Sequence, residues 1–179
     1  LQIEAYRTLH IQPKETLEIA QVLYINSYIS YPRTSSNQLP ESIGYKKVLQ
    51  KLSGQQMYSA LTKELLKQKE LKPNNGKKKD EAHPAIYPTG EVPGSLEIKE
   101  AKVYDLVVKR FLATFAQAAV RETVSVTIDV NKENFFAKGT RTIEENWHKF
   151  YRPYVKLEEA EVHVKEKQEL HVKELKILD

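Results

Sequence analysis

The chain has 179 residues, 28 Lys and Arg against 24 Asp and Glu, a formal net charge of +4 and no cysteine. That length allows one domain or two small ones with a real core, while the composition excludes disulfides, thiolate zinc sites and cysteine nucleophiles; no apolar run approaches the ~18 residues of a bilayer span. Residues 1–80 carry 13 basic and 7 acidic side chains and residues 81–179 carry 15 and 17, a basic first half that suits a polyanion such as nucleic acid as well as it suits a plain solvated surface.

In chain order, residues 13–28 read as a helix that stops near Asn26 and Ser27. Pro13 sits in its first turn, and Leu17, Ala20, Val22, Leu23 and Tyr24 form an apolar face. That face places Tyr24 in the helical core. Tyr28 to Tyr31 then form a short extended run closed by Pro32, because proline drives the residue before it out of the helical region. Helices are expected over about 43–52 and 55–68. Residues 69–97 are rich in Pro, Gly and Asn and read as a loop crossing that still carries Ala85, Ile86 and Tyr87. Val103, Leu106, Val107, Phe111 and Phe115 recur at helical spacing, which predicts a helix over 100–118. Beyond Val120 the period becomes two. Val124, Val126, Ile128 and Val130 predict a strand, and a turn at 131–134 leads into a second with Phe135 and Phe136. Strands are also expected over 139–147 and as a hairpin of the near-repeats VHVKE (162–166) and LHVKE (170–174). The fold class is α+β, a mainly helical unit (1–118) followed by a β-rich one (119–179).

Two clusters carry chemistry. In Tyr31-Pro32-Arg33-Thr34 an extended tyrosine lies beside an arginine. A guanidinium favours a phenolate over the phenol, whose ordinary pKa is ~10, and it also binds a phosphodiester in a bidentate way. A phenolate is a competent leaving group as well, so a phosphotyrosine bond retains the energy of the broken phosphodiester. Tyr24 and Tyr28 are rivals for that role. The second cluster, Asp80 to Thr89, centres on His83, which is suited to donating to a phosphate or shuttling a proton and equally to a structural hydrogen bond.

Taken together these stretches resemble the type IA DNA topoisomerases. Residues 1–5 with 20–24 resemble that family's lead-in helices, 29–36 (ISYPRTSS) its active-site tyrosine motif and 82–89 (AHPAIYPT) its histidine motif. Residues 110–113 (RFLA) and 136–139 (FAKG) resemble the return into its β arch. The resemblance implies a winged-helix-like helical domain followed by antiparallel strands of the arch. It implies transient single-strand cleavage through a 5′-phosphotyrosine link on Tyr31, strand passage and religation without ATP. Arg33 would position the scissile phosphate, while His83, Thr34, Lys77, Lys78 and Lys79 would bind DNA. Expected partners are single-stranded or underwound DNA, in a cytoplasmic, nucleoid-associated setting with no membrane.

The sequence departs from the family in two respects. Most bacterial members carry Asp where Ser35 stands. The family's Toprim domain supplies acidic magnesium ligands, whereas the four Asp residues here contain no D-x-D. Mg2+ is therefore expected for the full-length enzyme with no metal ligand in this chain. The absence of Met at position 1 and of the family's later segments predicts a fragment, inactive by itself, whose Toprim and C-terminal partners lie elsewhere in the same polypeptide. Two rival readings remain: a tyrosine-nucleophile enzyme such as a recombinase, which places its tyrosine late behind several Arg, His and Lys, and a non-catalytic nucleic-acid-binding module in which Tyr31 only packs. Lys63, Lys67, Lys69 and Lys72 are further candidates for a DNA backbone. His10, His148, His163 and His171 show no metal spacing, and Trp147, Phe150 and Tyr151 read as core.

Overall fold

A computed structural model describes residues 1–174 and 176. The first helix, α1 (Gln2–Leu9), packs on α2 (Pro13–Ile25), whose proline occupies the first turn, where its missing N–H costs nothing. After a 3-10 turn at Glu41–Ile43 comes a helical pair, α3 (Tyr45–Ser53) and α4 (Gln56–Leu65). α3 buries Tyr45, Val48, Leu49 and Leu52, the i, i+3, i+4, i+7 stripe of an amphipathic helix, and packs on Tyr58, Thr62 and Leu65 of α4. α5 (Ile98–Ala113) opens with a reciprocal capping box between Glu97 and Glu100. Its buried face, including Val103, Leu106, Val107, Phe111 and Leu112, packs on α2 and on the short α6 (Trp147–Tyr151).

The β part is a two-stranded antiparallel sheet of β1 (Val120–Val130) and β2 (Glu133–Glu144). Its two-residue turn places both Asn131 (φ 52°) and Lys132 (φ 72°) in the left-handed region, the geometry that matches strand twist in tight hairpins. Thr123 and Thr140 hydroxyls meet across the strands at 3.1 Å, and Arg141 pairs with Glu122 at 2.8 Å. Thr140 also bridges to Ala160, and a Cβ on Gly139 would stand 2.5 Å from the Ala160 carbonyl oxygen. Glycine is required at that close approach.

Contacts divide the chain into two units, Leu1–Ala119 with Glu144–Lys156, and Val120–Ile143 with Leu157–Asp179. Helices plus an antiparallel sheet make the chain α+β. The helix expected to stop near Asn26 and Ser27 ends at Ile25, because Ser27 turns left-handed (φ 62°) and the amides of Ser27 and Tyr28 return to the Tyr24 and Leu23 carbonyls. Several other expected elements differ. The helix over 100–118 ends at Ala113, where the Phe115 and Ala116 amides tighten onto the Leu112 and Ala113 carbonyls and the Asn74 amide takes the Thr114 carbonyl at 2.7 Å. Trp147 begins a helix rather than ending a strand, and Phe150 and Tyr151 beside it are buried. The hairpin over 162–174 forms no ladder among the described residues; a turn at 166–167 is its only regular feature, and Leu170 and Val172 stay exposed. Residues 175 and 177–179, the end of the expected β-rich part, lie outside the described residues. Among the described residues no helix is long and apolar enough to cross a membrane.

Candidate active site

The site starts from the end of α2. Its left-handed cap at Ser27 redirects the chain so that residues 27–34 run antiparallel to residues 83–89. Ile29 bridges Pro88, the Ser30 amide donates to the Tyr87 carbonyl at 2.9 Å, and the Tyr87 amide donates to the Ser30 hydroxyl at 2.9 Å. At the α2 end the Thr89 amide donates to the Tyr28 carbonyl at 3.1 Å, and its hydroxyl to the Ser27 carbonyl at 2.6 Å. Further along, the Thr34 hydroxyl donates to the His83 carbonyl at 3.2 Å. Buried Ile29, Pro32 and Pro88 anchor the paired segments to the core.

This pairing brings Tyr31 and His83, far apart in sequence, into ring contact with centroids 4.5 Å apart and planes tilted by 47°. Tyr24 meets Tyr31 edge-on at 5.3 Å. Its expected place in the core is corrected here: Tyr24 is 39% exposed, and Leu23 takes the buried position on α2. The Tyr24 and Tyr31 rings, with planes 72° apart, thus make a T-shaped aromatic contact beside the loop. Tyr28 points elsewhere, its ring against Tyr104 and its hydroxyl accepting from the Gly94 amide at 3.1 Å.

Past Thr34 the chain turns. The Ser36 amide donates to the Thr34 hydroxyl and the Gln38 amide to the Ser36 hydroxyl, local bonds typical of Ser and Thr in turns. Asp80 closes this turn against the histidine segment. Its Oδ1 accepts from the Ala82 and His83 amides at 3.0 and 3.1 Å, and its Oδ2 from the Ser35 amide and hydroxyl at 3.3 and 3.1 Å. The His83 amide first, then those of Ser35 and Ala82 and the Ser35 hydroxyl, hold the Asp80 carboxyl below the usual carboxylate range. The motifs in the sequence assign Asp80 no role. Its place two and three residues before the amides it caps is a readable turn signal, but nothing local announces its link to Ser35.

Arg33 is exposed, and among the described residues no hydrogen bond or ion pair engages its guanidinium. Lys77, Lys78 and Lys79 are exposed on a loop stapled to the tyrosine side. The Gly76 amide donates to the Asn37 carbonyl at 2.9 Å, the Asn37 amide to the Lys78 carbonyl at 3.0 Å, and the Lys78 amide to Asn37 Oδ1 at 2.8 Å. A Cβ on Gly76 would lie 2.4 Å from the Asn37 side chain, so this approach favours glycine. Lys79, Ser36, Asp80 and His83 line one open cleft of about 330 Å³. The arrangement joins a phenol, an imidazole and free cations on one set of loops, which is what binding and attacking a phosphodiester requires. It does not fit a magnesium site. Among the described residues no three His, Asp or Glu side chains converge, and both oxygens of Asp80 are engaged by amides and a hydroxyl.

A protein-family model described as DNA topoisomerase matches residues 1–179. DNA topoisomerase 1 of Pyrococcus horikoshii is 48% identical over 162 residues, covering 89% of this chain and 24% of the relative. DNA topoisomerase 1 of Methanothermobacter thermautotrophicus is 45% identical over 161 residues, covering 90% of this chain and 22% of the relative. Human DNA topoisomerase 3-alpha is 35% identical over 150 residues, covering 84% of this chain and 15% of the relative. The chain belongs to the type IA DNA topoisomerase family. It spans about a quarter or less of the length of these relatives.

Proposed function

We propose that this chain is the tyrosine-bearing portion of an enzyme that opens one DNA strand, passes another through the gap and reseals the first. The Tyr31–His83 ring contact supports the reading best, because it sets the phenol beside a polar, cationic loop and not in the core. In this reading the Tyr31 phenol loses its proton and its oxygen attacks the scissile phosphorus. The bond from phosphorus to the 3′ oxygen breaks, the 5′ phosphate stays on Tyr31, and the 3′ oxygen takes up a proton. Religation is the reverse. It needs no ATP because the phosphotyrosine keeps the bond energy.

Arg33 offsets the phosphate charge, His83 and Thr34 hold the strand at the site, and Lys77–Lys79 contact the backbone beyond it. Residues 1–118 act as a winged-helix-like tyrosine domain and 119–179 as part of the arch. The magnesium ligands and the remaining stabilising groups lie outside this chain. One lost electrostatic stabiliser costs about 10²–10³-fold in rate, so the isolated chain does not cleave DNA usefully. The test is covalent-adduct formation on labelled single-stranded DNA by the full-length parent enzyme. Tyr31→Phe abolishes the adduct and leaves binding largely intact; an adduct that persists refutes the assignment and points to Tyr24 or Tyr28.

A further inference from the structure

Asp80 stands where a carboxylate is costly. It lies beside Lys79 and His83 on the rim of a site proposed to bind a polyanion, where its charge repels the ligand. Its own bonds explain what offsets that cost. All four donors it accepts are backbone amides or the Ser35 hydroxyl, and they divide evenly between the two motifs: Oδ1 holds the segment that carries His83, Oδ2 the segment that carries Tyr31 and Arg33.

Asp80 also acts where the regular pairing stops. Up to Thr34 and His83 the two segments follow one antiparallel register; beyond it residues 35 and 36 make no backbone link across, and the next ones are the Asn37 amide to the Lys78 carbonyl at 3.0 Å and the Ala85 amide to the Gln38 carbonyl at 2.9 Å. Ser35 lies in that gap, two residues from Arg33 and four from Tyr31. With no ladder bond at Ser35 itself, the Asp80 carboxylate spans the gap there, between the Thr34–His83 bond on one side and the Asn37–Lys78 bonds on the other.

We infer that Asp80 is a positioning residue for strand cleavage: through Ser35 on one motif and the Ala82 and His83 amides on the other, it fixes the distance between the Tyr31–Arg33 segment and His83. The inference rests on the proposed role of Tyr31. A misplacement of about 1 Å among groups acting on one phosphate costs up to about 10²-fold in rate.

The experiment uses the full-length parent enzyme and measures single-turnover adduct formation, affinity for a short single-stranded DNA, and melting temperature. Asp80→Ala and Asp80→Asn are compared with Ser35→Asp and with the double exchange of Ser35→Asp and Asp80→Ser. Asp80→Ala is expected to slow adduct formation by about 10- to 100-fold, with DNA affinity kept within about twofold or improved. Asp80→Asn keeps an acceptor for the Ala82 and His83 amides but turns a donor toward the Ser35 amide, so it is also slowed. Ser35→Asp sets two carboxylates about 3 Å apart and is slow too. The double exchange restores a carboxylate–hydroxyl pair across the same gap, and the hydroxyl introduced by Asp80→Ser can still accept a local amide. It recovers at least about tenfold of the rate lost in Ser35→Asp. A purely structural role predicts that rate, affinity and melting temperature fall together with no recovery in the double exchange, and that outcome overturns the inference. So does an unchanged rate in Asp80→Ala. Tyr31→Phe in the same assay separates the two failures: an adduct in that variant overturns the proposed function, whereas its absence together with a normal Asp80→Ala rate overturns only the role of Asp80.

Discussion

Asp105→Ala removes the acceptor at the centre of a buried polar knot behind the site. Asp105, on α5, accepts from the Tyr58 hydroxyl of α4 at 3.0 Å and from the Tyr154 hydroxyl after α6 at 2.5 Å, and pairs with Lys109 at 3.3 Å. Tyr58 and Tyr154 are 3% and 5% exposed and the Asp105 side chain 16%, so water replaces the lost partner only in part. A buried donor left without an acceptor costs about 1–3 kcal/mol, which for two hydroxyls sets an upper range of roughly 2–6 kcal/mol. Lys109 adds little to this, because its ammonium still lies 5.7 Å from the Tyr154 ring centre and its chain can reach outward. The assay is equilibrium urea unfolding of the 179-residue chain, with the midpoint and slope read separately. Tyr58→Phe and Tyr154→Phe each cost about 1 kcal/mol in the natural background. In the Asp105→Ala background they recover stability, because they delete the orphaned donors. A loss under about 0.5 kcal/mol for Asp105→Ala, or Phe substitutions that simply add to it, refutes the knot as a stabilising element.

Alkaline pH acts on the same groups. Burial first, then the Asp105 or Glu4 carboxylates, raise the Tyr58, Tyr154 and Tyr151 phenols above their ordinary range. A raised folded value means that this stabilisation is complete below about pH 10 and is lost as pH rises above it, where only the unfolded tyrosines ionise; ultraviolet difference absorbance should show a class of phenolates that appears only with loss of the helical signal. Ser27→Gly relieves a left-handed residue at the α2 cap and should raise stability by about 0.5–1 kcal/mol in the same urea titration, whereas Ser27→Val should lower it. Replacing Lys77, Lys78 and Lys79 together by alanine should weaken single-stranded DNA binding by the chain and flatten the plot of log affinity against log salt by about 2; an unchanged slope means that these lysines stay in solvent.

What is legible in the sequence follows from how local each feature is. The α5 face and the β1 alternation are written in period alone, and both elements form: α5 buries its stripe, while on β1 the alternation leaves Val126, Ile128 and Val130 half-buried between exposed residues. Their ends are less legible, since partners far along the chain help decide them: the Asn74 amide takes the Thr114 carbonyl that a continuing α5 would offer to residue 118. Tyr24 misleads for a related reason. It shares the helical period of Ala20 and Leu23, but periodicity does not say that the last turn of α2 overhangs a loop. The repeat at 162–174 has strand-like alternation and nothing among the described residues for Leu170 and Val172 to pack against, so the pattern alone does not make a ladder. The Tyr31 and His83 motifs are readable as motifs. Their adjacency is not, because it depends on main-chain pairing between segments separated by two helices.

That pairing divides the work unevenly along its length. Near α2 the segments are bound by main-chain bonds and by the buried Ile29, Pro32 and Pro88, an attachment that belongs to the core and shares its cooperativity. Toward Ser35 the ladder gives way to side chains: Thr34 on the His83 carbonyl, Asp80 on Ser35, Asn37 on Lys78. These bonds are exposed or half-buried, so each adds little to global stability, yet between them they set where Arg33, His83 and the lysine loop stand relative to the Tyr31 ring. Substitutions at the buried end should therefore register first in unfolding, and substitutions at the polar end first in chemistry. Tyr31 sits at the boundary, one residue past the last ladder amide and one before a buried proline. Its backbone is held by the core while its ring is left to contacts with Tyr24 and His83, an arrangement that suits the proposed role of Tyr31: a nucleophile needs a fixed base and a ring free to carry a phosphate that arrives and leaves.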